Sequence, residues 1–232
     1  MSDFVFPPPP PASVAVAGSA QRFPVHRIYC VGLNYADHIK EIGADPTLPP
    51  VFFCKPADAV VANGAAVPYA PGTHNFHYEI ELVVALGGGG RDLAPERALE
   101  SVFGYAAGND LTRRDLQAYA KQHGQPWDTA KGFDCSAPVA ALRPAAAGHI
   151  ARGRIWLKVN GELRQQSDVE RLVWKVPQII ARLSQLYELK AGDLIFTGTP
   201  SGIGPLKPGD SLEGGIEGLE VLRNTIAPPL PA

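Results

Sequence analysis

The chain has 232 residues, of which 45% are hydrophobic and 19% charged, with 24 glycines, 23 prolines and a formal net charge of −2. A chain of this length buries about 70% of its unfolded surface without disulfides or a structural metal, so it reads as one turn-rich globular domain. The near-neutral balance excludes the basic face that nucleic-acid binding demands, and no run of about 18 apolar residues is present to span a membrane.

Cys30, Cys54 and Cys135 are odd in number, widely spaced and without a C-x-x-C pair. They read as reduced thiols of a cytoplasmic protein rather than as a disulfide framework or a zinc knuckle. The segment 12–20 lacks the basic flank of a signal peptide.

Residues 1–25 form an N-terminal arm in which the prolines at 7–11 predict polyproline II. Such a stretch either lies on the domain or serves as a ligand for a proline-recognition module. A strand is expected over 26–33, then a short helix with Asn34 as its N-cap, and a strand over 51–54. The clearest strand runs over 78–86, with Tyr78, Ile80, Leu82, Val84 and Leu86 on one face and Glu79 and Glu81 on the other. The glycines at 87–90 read as a plain loop and 111–123 as a helix. Asn160-Gly161 marks a hairpin turn. Ser167 and Glu170 suit the capping box of a helix reaching Tyr187, which Pro177 kinks or breaks. A strand over 193–197, a glycine-rich loop over 198–204 and strands within 210–222 complete the domain, and 227–232 form a tail. Strands and helices do not alternate as βαβ units, so the fold class is α+β, mainly β.

Glu79 and Glu81, two apart on a strand, leave the same face. Such a pair is either a solvated strand face or half of a hard-cation site. Asp110 follows an apolar run, where a carboxylate needs a partner. Three carboxylates with open positions suit Mg²⁺ or Mn²⁺ better than Zn²⁺. His74 and His77 with Glu79 offer a rival zinc site only if His74 lies in a loop. His38 and Glu41, at i and i+3 on the short helix, form either a solvated contact or a carboxylate-held general base. Gly43 beyond them suggests a segment free to move. Lys131, between Trp127 and Phe133, reads as a partly buried ammonium in need of an anion. The loop 198–204 lacks a P-loop ending and is either a plain tight turn or a receiver of a carboxylate through its amides and the Thr199 hydroxyl.

Seven stretches carry a resemblance: GLNYADHIKE at 32–41, FFCKP at 52–56, YEIEL at 78–82, GNDLTRRDLQ at 108–117, PWDTAKGFDCSAP at 126–138, WLKVNGELRQ at 156–165 and GDLIFTGTPSGIGPLKPGD at 192–210. In this order, over about 26–226, they resemble the fumarylacetoacetate hydrolase family. The resemblance implies a mixed β-roll with flanking helices, usually a homodimer, and Mg²⁺ or Mn²⁺ on Glu79, Glu81 and Asp110. It also implies a His38/Glu41 dyad that activates water, Lys131 stabilising an enolate, and substrate contacts from Lys55, Arg114, Gln117 and Thr199.

Short chains of this layout look like the acylpyruvase branch, which implies hydrolysis of a 2,4-dioxo acid, with fumarylpyruvate of gentisate-type aromatic degradation as the expected substrate. Arg114, Lys55 and Arg113 are the expected receivers of its distal carboxylate. Leu33 stands where the family often has arginine, and Cys54 where other large residues are frequent; both bear on substrate choice. Oxaloacetate decarboxylation and isomerisation of a dienoic 2-oxo acid are alternatives on the same metal platform. A non-catalytic adaptor acting through the proline-rich arm is the alternative of another class.

Overall fold

The computed structural model describes residues 4–41 and 49–230. At its centre lies strand Ile80–Leu86, every residue of which is buried. It sits within an eight-stranded mixed sheet ordered Val51–Lys55, Ile28–Gly32, Leu194–Phe196, Ile80–Leu86, Val102–Asn109, Ala137–Val139, Val60–Ala62, with Arg143–Pro144 also paired to Val102–Asn109. A five-stranded sheet runs Glu162–Asp168, Arg154–Val159, Ser211–Ile216, Leu222–Ala227, Ala66–Pro68. The fold is thus α+β and mainly β, as the irregular strand spacing implies, and among the described residues no helix is long and apolar enough to cross a membrane.

Ile80, Leu82, Val84 and Leu86 share a core with Ile155, Leu157, Leu212 and Ile226 of the second sheet. The opposite face does not meet solvent: Val83 and Ala85 enter another core with Ile28, Cys30, Leu194 and Phe196. The hairpin of Ser13–Ala15 with Arg22–Pro24 adds Val14 and Phe23 to that second core. A central strand covered on both faces loses the polar alternation of a half-exposed one, and each large apolar side chain it buries contributes about 1.5–3 kcal/mol.

Three expected elements differ from those observed. The short helix is Ala36–Glu41, and Asn34 does not cap it. The Asn34 amide instead donates to the carbonyls of Trp174 (3.0 Å) and Thr197 (2.7 Å) and accepts from the Trp174 N–H, locking three loops together. The helix expected over 111–123 starts later, at Arg114–His123, because Thr112–Arg113 pairs with Phe76 and His77. Ser167 lies in a strand opposite Ile155, so no helix begins there. Asp168 caps a single 3-10 turn by accepting from Glu170, and the helix is Val176–Leu186 with Pro177 in its first turn. Proline is at home in that position, where its missing N–H would have had no intrahelical acceptor, so it starts the helix rather than kinking it.

The Asn160-Gly161 hairpin forms as expected, with φ of 52° and 81° joining Arg154–Val159 to Glu162–Asp168. Gly43, residues 1–3 of the arm and residues 231–232 of the tail lie outside the described residues.

Candidate functional site

The three carboxylates converge because the chain changes sheets at Glu79. Phe76–Tyr78 pairs in a small sheet with Thr112–Arg113 and Gly204–Pro205, while Ile80–Leu86 belongs to the eight-stranded sheet. Backbone groups at such a break lose their ladder partners and, being buried, must find others. Asn109 Oδ1 accepts from the Glu79 N–H (2.8 Å), and Gln165 Oε1 accepts from the Ile80 N–H (3.0 Å). The register sets Ile80 opposite Asn109 and Glu81 opposite Gly108, and the Asp110 N–H donates to the Glu79 carbonyl at 2.8 Å. Glu79, Glu81 and Asp110 are 4%, 2% and 1% exposed. One oxygen from each lies within 4.8 Å of the others. Burial rules out the solvated strand face as the explanation of this acidic pair.

Three buried carboxylates so close repel one another, and cations of the chain offset part of that charge. Lys131, itself 2% exposed, donates to Glu79 Oε2 and Asp110 Oδ2, both at 2.8 Å. Arg114 pairs with Glu79 Oε1, and the Lys55 ammonium lies 2.8 Å from Asp110 Oδ1. Burial by itself would raise the Glu79 carboxyl, but Lys131 and then Arg114 outweigh it and hold the group well below the usual carboxylate range. Burial opposes the charge of Lys131 too, yet Asp110 and Glu79 raise it above the ordinary lysine value.

Glu81 is different. Among the described residues no ion pair reaches it, and its Oε2 accepts from the Gly198 N–H at 2.7 Å. Burial, followed by the charges of Asp110 and Glu79, pushes it well above the usual range. A buried carboxylate lacking a cation, beside an Asp110 Oδ1 that makes a charge contact but no hydrogen bond, is the deficit a hard divalent ion would fill with oxygen ligands. The donor set therefore fits Mg²⁺ or Mn²⁺. Among the described residues the rival zinc arrangement does not form: His74 and His77 do not join Glu79 in a ligand cluster, and His77 Nε2 is engaged with Asn75 Oδ1 at 2.7 Å.

The same cleft is lined by His38, Arg114, Gln117, Lys131 and Thr199 together with the three carboxylates. His38 Nδ1 lies 2.8 Å from Glu41 Oε2, the contact expected from their i, i+3 spacing. Glu41 Oε1 also accepts from the Gly202 N–H at 3.0 Å, which joins the short helix to the glycine-rich loop. Thr199 accepts from Gln165 Nε2 at 2.8 Å, so its own proton is free to point into the cleft. Gln117 Oε1 accepts from Arg114 Nη1 at 2.6 Å, leaving its amide donors available.

Two expectations change. Lys55 does not line the cleft: it is 3% exposed and donates to the backbone carbonyls of Leu111 and Lys131 behind the carboxylates. Lys131, which reads as an ammonium in need of an anion, is buried more completely than expected and finds Glu79 and Asp110 of the chain itself. Asn109 and Gln165 were not foreseen as site residues. Asn109 leaves a sequence trace as the polar residue that ends an apolar strand, whereas Gln165 leaves none, being one polar residue among several in a hairpin strand. Leu33 lines the cleft in a left-handed conformation, φ 61°, uncommon for a residue with a side chain.

Comparisons with known proteins show what the chain is similar to. The family model described as fumarylacetoacetate (FAA) hydrolase C-terminal matches residues 27–227. The fumarylpyruvate hydrolase of Ralstonia sp. is 44% identical over 177 residues, 76% of this chain and 92% of that protein. The mitochondrial oxaloacetate tautomerase of Mus musculus is 43% identical over 197 residues, 84% of this chain and 89% of that protein. Among solved structures, the fumarylpyruvate hydrolase of Pseudomonas aeruginosa in complex with Mn²⁺ and pyruvate matches with a TM-score of 0.95 at 49% identity, covering 97% of this chain and 99% of that one.

Proposed function

Because the chain belongs to the fumarylacetoacetate hydrolase family, we propose that it is a divalent-metal-dependent hydrolase that cleaves the carbon–carbon bond of a 2,4-dioxo acid, with fumarylpyruvate, split into fumarate and pyruvate, as its substrate. The observation that carries this reading is the meeting, in one cleft, of a buried three-carboxylate cluster and a His–Glu pair. The first suits a hard cation and the second the activation of water. The relatives that are fumarylpyruvate hydrolases, one of them holding Mn²⁺ and pyruvate, support it.

Glu79, Glu81 and Asp110 would hold Mg²⁺ or Mn²⁺, and the bound ion would supply Lewis-acid stabilisation of the pyruvate enolate, worth several kcal/mol. Glu41 fixes the His38 tautomer with Nδ1 protonated, which leaves Nε2 to take a proton from water as the water oxygen bonds to C4 of the substrate. The C3–C4 bond then breaks as the carbonyl re-forms at C4 to give the fumarate carboxyl group, the bond's electron pair passes into the enolate of the pyruvate half, and the proton taken up by His38 is returned to C3 to give pyruvate. Lys131 keeps a positive charge beside the developing enolate. Thr199 and Gln117 donate to the substrate's oxygens and hold the dioxo chain in line.

Oxaloacetate tautomerisation is the second reading, favoured by the 43% identity to the mouse tautomerase. It moves protons without adding water. A panel of fumarylpyruvate, acetylpyruvate and oxaloacetate assayed with Mg²⁺ and Mn²⁺ separates the two. Release of pyruvate from an acylpyruvate supports hydrolysis, whereas interconversion of oxaloacetate tautomers with no acylpyruvate cleavage supports the second. A catalytic domain over 26–226 flanked by arm and tail, a homodimeric state and a cytoplasmic setting, the last in keeping with three free cysteines, complete the proposal.

A further inference from the structure

We propose that Lys121 is the specificity residue that receives the distal carboxylate of the acyl arm, an inference that rests on the acylpyruvate reading of this same cleft. The cations expected in that role are committed elsewhere. Arg114 pairs with Glu79 and Gln117. Arg113 donates to the Thr129 carbonyl and lies 4.3 Å over the Phe133 ring. Lys55 is buried behind Asp110. Lys121 lines the cleft, and the ion pairs there use Lys55, Arg114 and Lys131, leaving its ammonium without a carboxylate among the described residues.

Reach favours the assignment. Arg114, Gln117 and Lys121 stand at i, i+3 and i+7 of helix Arg114–His123 and so share a face. Arg114, at the helix start, touches the carboxylate cluster, and Lys121 lies seven residues on, about 10.5 Å along the axis. Fumarylpyruvate separates its two carboxyl carbons by six bonds, roughly 7.5 Å when extended, as three bonds span about 3.8 Å. Side chains on a helix lean toward its N-terminus, so a lysine at this position can reach back over the difference and hold a distal carboxylate at about 2.8 Å. Oxaloacetate, with only three bonds between its carboxyl carbons, falls well short.

The ammonium lies 5.0 Å over the Trp127 ring, and Phe53, whose ring centroid is 5.7 Å from that of Trp127, continues an apolar wall for the unsaturated arm. Lys121 is exposed, so its ammonium is open to an incoming anion, and the positive Arg114 on the same helix face adds to the field that such an anion meets.

The test compares Lys121→Met and Lys121→Arg with the unaltered enzyme. Lys121→Met should lower kcat/KM for fumarylpyruvate tenfold or more, chiefly through KM, while changing that for acetylpyruvate, which lacks the second carboxylate, less than twofold. Lys121→Arg should keep most of the fumarylpyruvate activity. Calorimetry with fumarate should show its binding weakened tenfold by Lys121→Met, with pyruvate binding unchanged. Equal losses on both acylpyruvates, or an unchanged KM for fumarylpyruvate together with unchanged fumarate binding, would overturn the assignment. Failure of the unaltered enzyme to cleave either acylpyruvate would instead overturn the functional reading, and the role of Lys121 with it.

Discussion

On the hydrolase reading His38 carries the heaviest chemical load of any single side chain in the cleft, because among the described residues lining it no other is an imidazole held by a carboxylate. Replacing it with alanine should lower acylpyruvate hydrolysis by about 10²-fold or more, the usual contribution of a positioned base. Tautomerisation or decarboxylation of oxaloacetate should fall less if His38 serves only to activate water; parallel loss of all activities, followed side by side, would show that it does something else. Gln165 tests a different point. It is fully buried, accepts from Ile80 N–H and donates to Thr199 and the Pro200 carbonyl, so it joins the break in the sheet to the glycine-rich loop. Gln165→Leu keeps the volume but leaves a buried N–H unpaired, and urea unfolding should show a loss of about 1–3 kcal/mol. The acidic pair at 79 and 81 is by itself ambiguous in the sequence, because such pairs are common on solvated strand faces; Asp110 at the end of an apolar run and the family resemblance are what single it out as a metal-ligand candidate. Gln165 was not legible, since a glutamine in a hairpin strand looks the same whether it faces water or plugs a ladder.

At the level of elements, strands set by burial were easier to read than helices set by local pattern. The strand over 78–86 was found, although its division at Glu79 and the covering of its second face depend on partners far away in sequence. The capping pattern at Ser167 and Glu170 is equally compatible with a strand end followed by a 3-10 turn, and pairing of Ser167 with Ile155 decided between them. The glycine-rich loop was left open between a tight turn and a receiver of carboxylates, and its function in the structure is to bind the chain's own: Gly198 N–H serves Glu81 and Gly202 N–H serves Glu41. Gly198 sits at φ 101°, and a β-carbon there would lie 2.8 Å from Asn34 Cβ and 3.1 Å from the Val31 carbonyl. Gly198→Ala should therefore shift the loop away from Glu81, lowering stability by more than the roughly 1 kcal/mol at which backbone-compatible exchanges stop. It should also weaken Mn²⁺ binding, measured by titration calorimetry. An alanine variant with native stability and native Mn²⁺ affinity would mean that the loop does not position the cluster.

For the molecule as a whole, the site and the fold compete for the same charges. The core is closed on both faces of the central sheet, yet it encloses three carboxylates at its edge, and the chain supplies Lys55, Lys131 and Arg114 to two of them only. Among the described residues no cation pairs with Glu81, a cost to folding that the proposed metal would offset, so on that reading activity and stability are linked through a single residue. An ion that binds the native state alone stabilises it by about 2.7 kcal/mol at a hundredfold excess over Kd. For a chain of this length that corresponds to a rise in Tm of roughly 5–10 °C. Adding Mn²⁺ to chelator-treated protein should produce such a rise. Glu81→Gln should behave oppositely in the two states: with chelator present its Tm should exceed that of the unaltered protein, because a neutral amide replaces a buried carboxylate that has no cation, and with Mn²⁺ the rise should shrink to a small fraction of its value. A Glu81→Gln protein that is less stable in chelator and still gains the full Mn²⁺ shift would place the ion elsewhere and return Glu81 to a purely structural role.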